Sequence, residues 1–296
     1  GVTWQGLVLK YARSFSILSL RYIVFAGSLF LIFYVWKKRK FLALKIQQKF
    51  PENKHILREV AYSFLSIAIF SVVGTTVFLL RKNGYTQMYV HFSDHSTAYF
   101  IFSVVAFIVI HDTYFYWTHR LMHWKKIYHY VHKVHHLSTN PTPWAAFAFY
   151  PLEAVLEVGI VPLMVFLMPL HPFAILAWVL YQTGMNVMGH LGFEMFPSGF
   201  TTGTVTKWHN TSVHHNMHHR YVTCNYGLYY NFWDRLFSGG ESKLKACSIS
   251  IGGGTLTRLK NEGWVYGSER EAHATEGLDR STRNQKTCSA TGRTLG

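Results

Sequence analysis

Histidine supplies the chemistry in this sequence. There are 18, and 14 of them fall between His111 and His219. His132, His135 and His136 make one HxxHH run, and His215, His218 and His219 make another. In each run the outer pair is spaced i,i+4 and the inner member i+3, so the spacing predicts a helix that turns all three imidazoles toward one point. His119 and His123 are also i,i+4, and His190 stands alone in Gly189-His190-Leu191-Gly192. A transition metal takes about four to six ligands, so these nine imidazoles suit two metal ions, with positions left for water, oxygen or a bridging group. A lone histidine at a helix end is ordinarily a cap, and a surface His-rich tract binds metal adventitiously. Neither accounts for helix-spaced histidines recurring over about 100 residues between apolar segments.

Other groups surround this set. His111, His209 and His214 are candidates for additional ligation or for orienting a ligand; His214 lies about 100° around a helix from His215. Asp112 projects within about 40° of His119 and His123. Two roles stay open for it: orienting a ligating imidazole, or pairing with Arg120 two turns on. Glu153, Glu157 and Asp234 read as buried partners of Lys or Arg where a cap meets the membrane. Trp144, Phe147, Phe149 and Tyr150, following Pro141-Thr142-Pro143, read first as an interfacial aromatic belt and second as the lid of a lipid entrance. Cys224, Cys247 and Cys288 contain no CxxC and imply neither a disulfide framework nor a thiolate metal site.

The elements that must position these groups are apolar. The 296 residues are 49% hydrophobic, 17% aromatic and only 15% charged, which excludes an ordinary soluble enzyme or a charge-rich disordered chain. Residues 1–240 hold 8 of the 14 acids, and none precedes Pro51. The net charge of +15 does not indicate nucleic acid, because the densest basic run, Lys37–Lys40, directly follows an apolar segment and suits an anionic lipid surface.

Five stretches are long and apolar enough to cross or enter a bilayer: Tyr22–Trp36 extended upstream through Ser14–Leu20, Val60–Leu80, Ala98–Trp117, Leu152–Leu170 and Phe173–Leu191. The last two form a hairpin at His171-Pro172, which crosses or re-enters. Lys37–Lys40, Lys45 and Lys49 after the first helix, and Lys125, Lys126 and Lys133 after the third, put both regions in the cytoplasm, with Arg81-Lys82 a weaker counter-signal. All the clustered histidines then face one compartment. Tyr22–Trp36 is not a signal peptide, since no small-residue cleavage site follows it. The chain begins on Gly1, as a trimmed or partial chain would. The fold expected is all-α: an integral membrane bundle of about four transmembrane or re-entrant helices plus an N-terminal one, under a cytoplasmic His-rich helical cap. Residues 1–59 form the N-terminal helix and basic loop, 60–240 the catalytic domain, and 241–296, with Gly252-Gly253-Gly254 and little apolar periodicity, a disordered tail.

The histidine pattern resembles the fatty acid hydroxylase/sterol desaturase superfamily of integral membrane non-haem diiron oxygenases. HRLMH (His119, His123), HKVHH (His132, His135, His136) and HHNMHH (His214 to His219) resemble its three boxes, and His190 its isolated histidine. Asn225–Phe237, NYGLYYNFWDRLF, resembles its closing signature, with Phe237-Ser238-Gly239 a slight departure. The resemblance covers roughly residues 60–239.

It implies two irons per chain, O₂ as co-substrate, and electrons from NAD(P)H through an external donor, cytochrome b5 or a ferredoxin with its reductase. The sequence itself carries no nucleotide fingerprint, haem motif or cysteine cluster. The activity implied is desaturation or hydroxylation of a membrane lipid, with a sterol ahead of a fatty-acyl or sphingoid chain. The location implied is the endoplasmic reticulum membrane in a eukaryote or the inner membrane in a bacterium. A membrane metal-binding or transport protein is the non-enzymatic alternative; its ion route would place ionisable groups at mid-bilayer in several helices.

Overall fold

The computed structural model describes residues 3–197 and 199–237, and three strands at 249–251, 254–259 and 263–268. Among the described residues, three helices are long and apolar enough to cross a membrane: α1, Trp4–Trp36; α2, Asn53–Lys82; and α3, Thr97–Met122. Each begins beyond the apolar run read from sequence. Thr3 and Ser96 cap α1 and α3 by accepting from the amides of Gly6 and Tyr99. The second half of α1 widens into π-helical turns at Ile23–Gly27 and Leu31–Trp36. On α3, Ile101, Phe102, Val105 and Val109 are exposed, a stripe at helical spacing that fits contact with lipid chains.

The predicted hairpin is present, but its first arm is broken. Pro151–Val158 (α6) and Ile160–Leu167 (α7) meet at Gly159. Pro162, one turn on, has no amide to offer the carbonyl of Val158, and the Tyr114 hydroxyl donates to the carbonyl of Leu156 beside the break. The second arm, α8 (Pro172–Gly189), starts with proline at its first position, and His171 Nδ1 accepts from the amide of Phe173. The hairpin tip binds the α2–α3 loop: the amide of Tyr89 donates to Leu170 and the Tyr99 hydroxyl to Pro169. Tip and loop therefore share one end of the bundle.

Everything else described gathers at the opposite end. Short helices α4 (Lys125–Val131) and α5 (Lys133–His136) follow α3, and α9 (Ser212–Tyr221) and α10 (Phe232–Phe237) follow α8. The basic loop after α1 joins them, with the amide of Ile46 donating to Gly192 and that of Glu194 to Leu44. Of the four aromatics read first as an interfacial belt and second as a lid, Trp144, Phe147 and Phe149 are instead part of an internal wall, and Tyr150 is exposed. Phe147 and Phe149 are buried, and Trp144 packs on Tyr22, whose hydroxyl donates to the Trp144 carbonyl. This segment packs between α1, α2 and α8 because its backbone carbonyls are taken up there: Ser63 also donates to Trp144, and Asn186 to Ala146.

The helical fold has one addition. Within 241–296, read as a structureless tail, Ile249–Ile251, Gly254–Leu259 and Gly263–Ser268 form an antiparallel sheet in sequential order, β1-β2-β3. Its strands are three to six residues long, too short to register as periodicity, although Thr255-Leu256-Thr257 and Trp264-Val265-Tyr266 are strand-favouring. The rest of 241–296 lies outside the described residues.

Candidate metal centre

The nine histidines converge at the cap end of the bundle in two groups. One comprises His119, His123, His132, His136 and His218, the other His135, His190, His215 and His219; ligand atoms within each lie within 4.8 Å of one another. In the first, Nε2 of His119 is 3.0 Å from Nε2 of His132, and His123 is 3.3 and 3.2 Å from His119 and His218. In the second, His190 Nε2 is 3.0, 3.1 and 3.4 Å from those of His215, His219 and His135. The groups abut, with the rings of His136 and His219 4.9 Å apart.

Neither HxxHH run points at one place. In each, the i,i+4 pair shares a group and the i+3 member crosses to the other. His132 and His136 join the first group while His135 joins the second; His215 and His219 join the second while His218 joins the first. The reason is angular. Adjacent residues on a helix diverge by about 100°, so His135 and His136, or His218 and His219, serve different centres when two lie side by side.

Hydrogen bonds at Nδ1 say what the Nε2 atoms are. A carbonyl oxygen only accepts, so Nδ1 must carry the proton in His119, held by Tyr226 at 2.8 Å, in His218, held by Cys224 at 2.6 Å, and in His190, held by Asn186 at 2.8 Å. His132 Nδ1 donates in the same way to Glu153 Oε1 at 2.7 Å. Burial keeps the imidazoles neutral: it is the first cause holding His132, His135, His136, His215, His218 and His219 well below their ordinary value, with mutual repulsion second, and it lowers His190 to about 4. His119 and His132 therefore face each other at 3.0 Å with bare lone pairs, and His123 can offer its one Nε2 proton to only one of His119 and His218. Unpaired buried polar groups cost about 1–3 kcal/mol each, so such a set, left alone, would be expensive beside a domain stability of about 5–15 kcal/mol. A cation in each group removes the cost. Neutral, inward-facing Nε2 donors are what a borderline transition metal such as iron takes, so the residues fit two metal ions.

The orienting groups are mostly ones the sequence reading assigned elsewhere. Glu153 pairs with His132, not with Lys or Arg, because α6 brings it under α5. Asp234 accepts from the amides of Tyr226 and Gly227. Asp112 takes neither role expected of it. Its Oδ1 accepts from the amides of Tyr229 and Tyr230, while Arg120 donates to the Tyr116 hydroxyl. Both acids thus fold the closing signature against α3, which delivers the carbonyl of Tyr226 to His119. The turn leaving α9 runs through two left-handed residues, Val222 at φ 65 and Asn225 at φ 56. Left-handed geometry costs a β-branched residue about 1–2 kcal/mol, and here it presents the Cys224 carbonyl to His218. At Gly227 any Cβ would strike the carbonyl of Tyr230, so only glycine fits. Backbone carbonyls carry no side-chain signature, which is why these orienting groups were not named from sequence.

His111, His209 and His214 lie outside both groups. His111 is buried against Trp178 and Tyr229. His209 packs on Phe196 and Phe200. His214 is the third residue of α9, where its Nδ1 accepts from the amide of Thr211 in a capping box.

Beside the second group lies a cavity of about 190 Å³, lined mainly by apolar residues of α1, α2, α6, α7 and α8. Phe149 forms part of its wall and packs on His135, ring centres 5.2 Å apart.

The fatty acid hydroxylase family profile matches residues 104–239. A Delta(7)-sterol 5(6)-desaturase of Gibberella zeae is 31% identical over 202 residues, 64% of this chain and 58% of that protein. The lathosterol oxidase of Rattus norvegicus is 31% identical over 197 residues, 66% of this chain and 63% of that protein. The human lathosterol oxidase is 28% identical over 237 residues, 79% of this chain and 75% of that protein. Against the first two, the chain spans less than two thirds of the relative's length. No solved structure matches the chain.

Proposed function

This chain belongs to the fatty acid hydroxylase/sterol desaturase superfamily, and from that premise we propose that it is an O₂-dependent diiron oxidase acting on C–H bonds of a membrane lipid, a sterol or sterol-like molecule. The observation that carries the reading is the pair of buried imidazole groups set beside an apolar cavity among helices of membrane-spanning length. His119, His123, His132, His136 and His218 would hold one iron, and His135, His190, His215 and His219 the other. Bound there, two irons supply the oxidising power needed to break an unactivated C–H bond with O₂ and two electrons.

The chain's own residues do the rest. Glu153 and the carbonyls of Tyr226, Cys224 and Asn186 fix tautomer and ring orientation, which keeps Nε2 of each partner imidazole available. Phe147 and Phe149 exclude water and separate the lipid from the cap. The metal-transport alternative has less support, since its ionisable groups would line several helices at mid-bilayer, whereas these imidazoles gather beyond the ends of the long helices.

The arrangement in the bilayer follows from the same ends. The contact of the hairpin tip with the α2–α3 loop supports a hairpin that traverses the layer with α1 to α3, and the Lys-rich loops at the cap end support a cytoplasmic location for the histidines. Electrons come from NAD(P)H through a separate protein, cytochrome b5 or a ferredoxin with its reductase; exposed Lys125, Lys126 and Lys133 beside half-exposed His123 suit an acidic donor. The sterol preference rests on the relatives named above.

Lipid mass profiles of a host with and without the gene, under air and under nitrogen, test the reading. A desaturase yields a product about two mass units lighter and a hydroxylase one about sixteen heavier, in air alone. A product formed equally under nitrogen by iron-loaded protein would overturn it. Products confined to acyl or sphingoid lipids would overturn the sterol preference and leave the oxidase.

A further inference from the structure

The cavity beside His135 is mainly apolar, with Ser14 where a second cavity joins it and a polar inner end away from that junction. There Arg21 from α1, His111 from α3, Glu157 from α6 and Gln182 from α8 all line it. Four helices each contribute a polar side chain to one space in a layer otherwise made of hydrocarbon, where such groups are expensive and ordinarily have partners. These lack them. Arg21 Nε is buried with no hydrogen-bond partner, and its guanidinium lies 6.0 Å above the ring of Phe147. His111 is 2% exposed and its Nδ1 has no partner. Among the described residues, Glu157 makes no ion pair with Arg21 or any other cation. Glu157 lies one helical turn beyond Glu153, which holds His132, so this polar end is within about 6 Å of the metal centre's supporting shell along α6.

The space also continues outward. A second cavity of about 350 Å³ shares Ser14, Leu18 and Gly74 with the first and runs between α1 and α2 to Phe78. Gly74 keeps this passage open, since a Cβ there would meet Ser14 Oγ at 3.2 Å. The two together make a channel that starts beside Lys10 and Arg13 near the far end of α1 and α2, passes Ile17, Leu18 and Phe78, and stops at an unpaired cation and an unpaired carboxyl group.

We propose that this inner end is an anchor for a lipid alcohol: the substrate's hydroxyl oxygen accepts from Arg21 and its proton is donated to Glu157, with the hydrocarbon body lying along the α1–α2 channel. The inference deepens the lipid-oxidation reading and rests on it. A hydroxyl is the group that satisfies both partners at once, because it donates and accepts. An ether or ester oxygen would leave Glu157 without a donor, and a carboxylate would set two acids together. The anchor also explains how an oxidant of low intrinsic selectivity would act at one position: a fixed hydroxyl sets which carbon of the lipid reaches Phe149 and His135.

The test is equilibrium binding to metal-loaded protein in nanodiscs, with lathosterol and octadecanol each compared with its own methyl ether. The free alcohol should bind at least tenfold more tightly than the ether in one of the two pairs. Arg21→Met and Glu157→Leu should abolish that preference, while Glu157→Gln, whose amide oxygen still accepts, restores part of it, with metal content unchanged in all three. Equal binding of alcohol and ether by the wild-type protein, no binding of either pair, or a preference that survives both substitutions would overturn the anchor. If a variant fails to fold, the wild-type comparison alone still decides. Oxygen-dependent product with no alcohol preference removes the anchor and leaves the oxidase; an alcohol preference with no product in air removes the oxidase and leaves the anchor.

Discussion

The two imidazole groups share an interior but are built differently. In the five-histidine group, three rings are oriented through Nδ1: His119 and His218 by carbonyls of the turn after α9, His132 by the Glu153 carboxylate. His123 is half exposed there, so the group reaches toward solvent. The four-histidine group is wholly buried, Nδ1 of His190 is held by the Asn186 carbonyl while Nδ1 of His215 and His219 has no partner, and the group's neighbour is the lipid cavity. One side is braced and faces the cap surface; the other is dry and faces the hydrocarbon. Such a division suits a centre that takes electrons from an aqueous partner and delivers oxidation to a lipid. Bracing matters more on the wet side, where competing water must be kept from the rings.

The largest expected effect tests how the histidines sort. Replacing His119 and His218 together removes two rings from one group, so a protein that holds two metals should keep about one after a chelator wash. Replacing His218 and His219, adjacent in sequence but in different groups, should leave close to none, with activity down more than about 100-fold, roughly 3 kcal/mol of barrier. Equal metal content in the two double variants would refute the sorting.

Bracing comes next. Glu153→Gln should weaken metal affinity of the five-histidine group about 10–100-fold and leave the other group unchanged, as read by competition with a chelator of known strength. Loss from both groups alike would mean that Glu153 supports the fold as a whole.

A smaller difference concerns protons. His190 is lowered to about 4 and its neighbours well below 6.5, so the folded apo-protein binds fewer protons than the unfolded chain. Stability from these rings is present above about pH 6.5 and declines as pH falls toward their folded values, by up to about 1.4 kcal/mol per proton per pH unit. The apo-protein's melting temperature should drop between pH 7.5 and 5.5, and bound metal should change the slope. A flat profile for the apo-protein would show the rings protonated or wet.

Truncation at residue 245 should have the smallest effect. The removed segment contributes no histidine to either group, and metal content and activity should stay within about twofold, under half a kcal/mol. Lost metal would show that the sheet of 249–268 braces the cap.

Much was legible beforehand because histidine is rare and its helical spacing is a local property. All nine rings that converge were named from their runs, and the three long helices from their apolar length. Asp112 and Glu153 were noticed but misassigned, because an acid in apolar surroundings announces that it has a partner and not which one. The aromatic run at 144–150 was misread for a related reason: composition cannot tell a belt facing headgroups from a wall facing an internal cavity.

The sequence by itself therefore carried the nine-histidine set, the apolar helices and the likeness to the superfamily, since each depends on residue type and on separations of a few residues along one helix. Only the tertiary structure decided which ring joins which group, which carbonyl orients it, and that Arg21, His111, Glu157 and Gln182 meet at one place. Those facts depend on distances between segments up to 161 residues apart, from Arg21 to Gln182. Such distances are set by how helices pack, and a 100° step between adjacent residues is enough to send them to different metals.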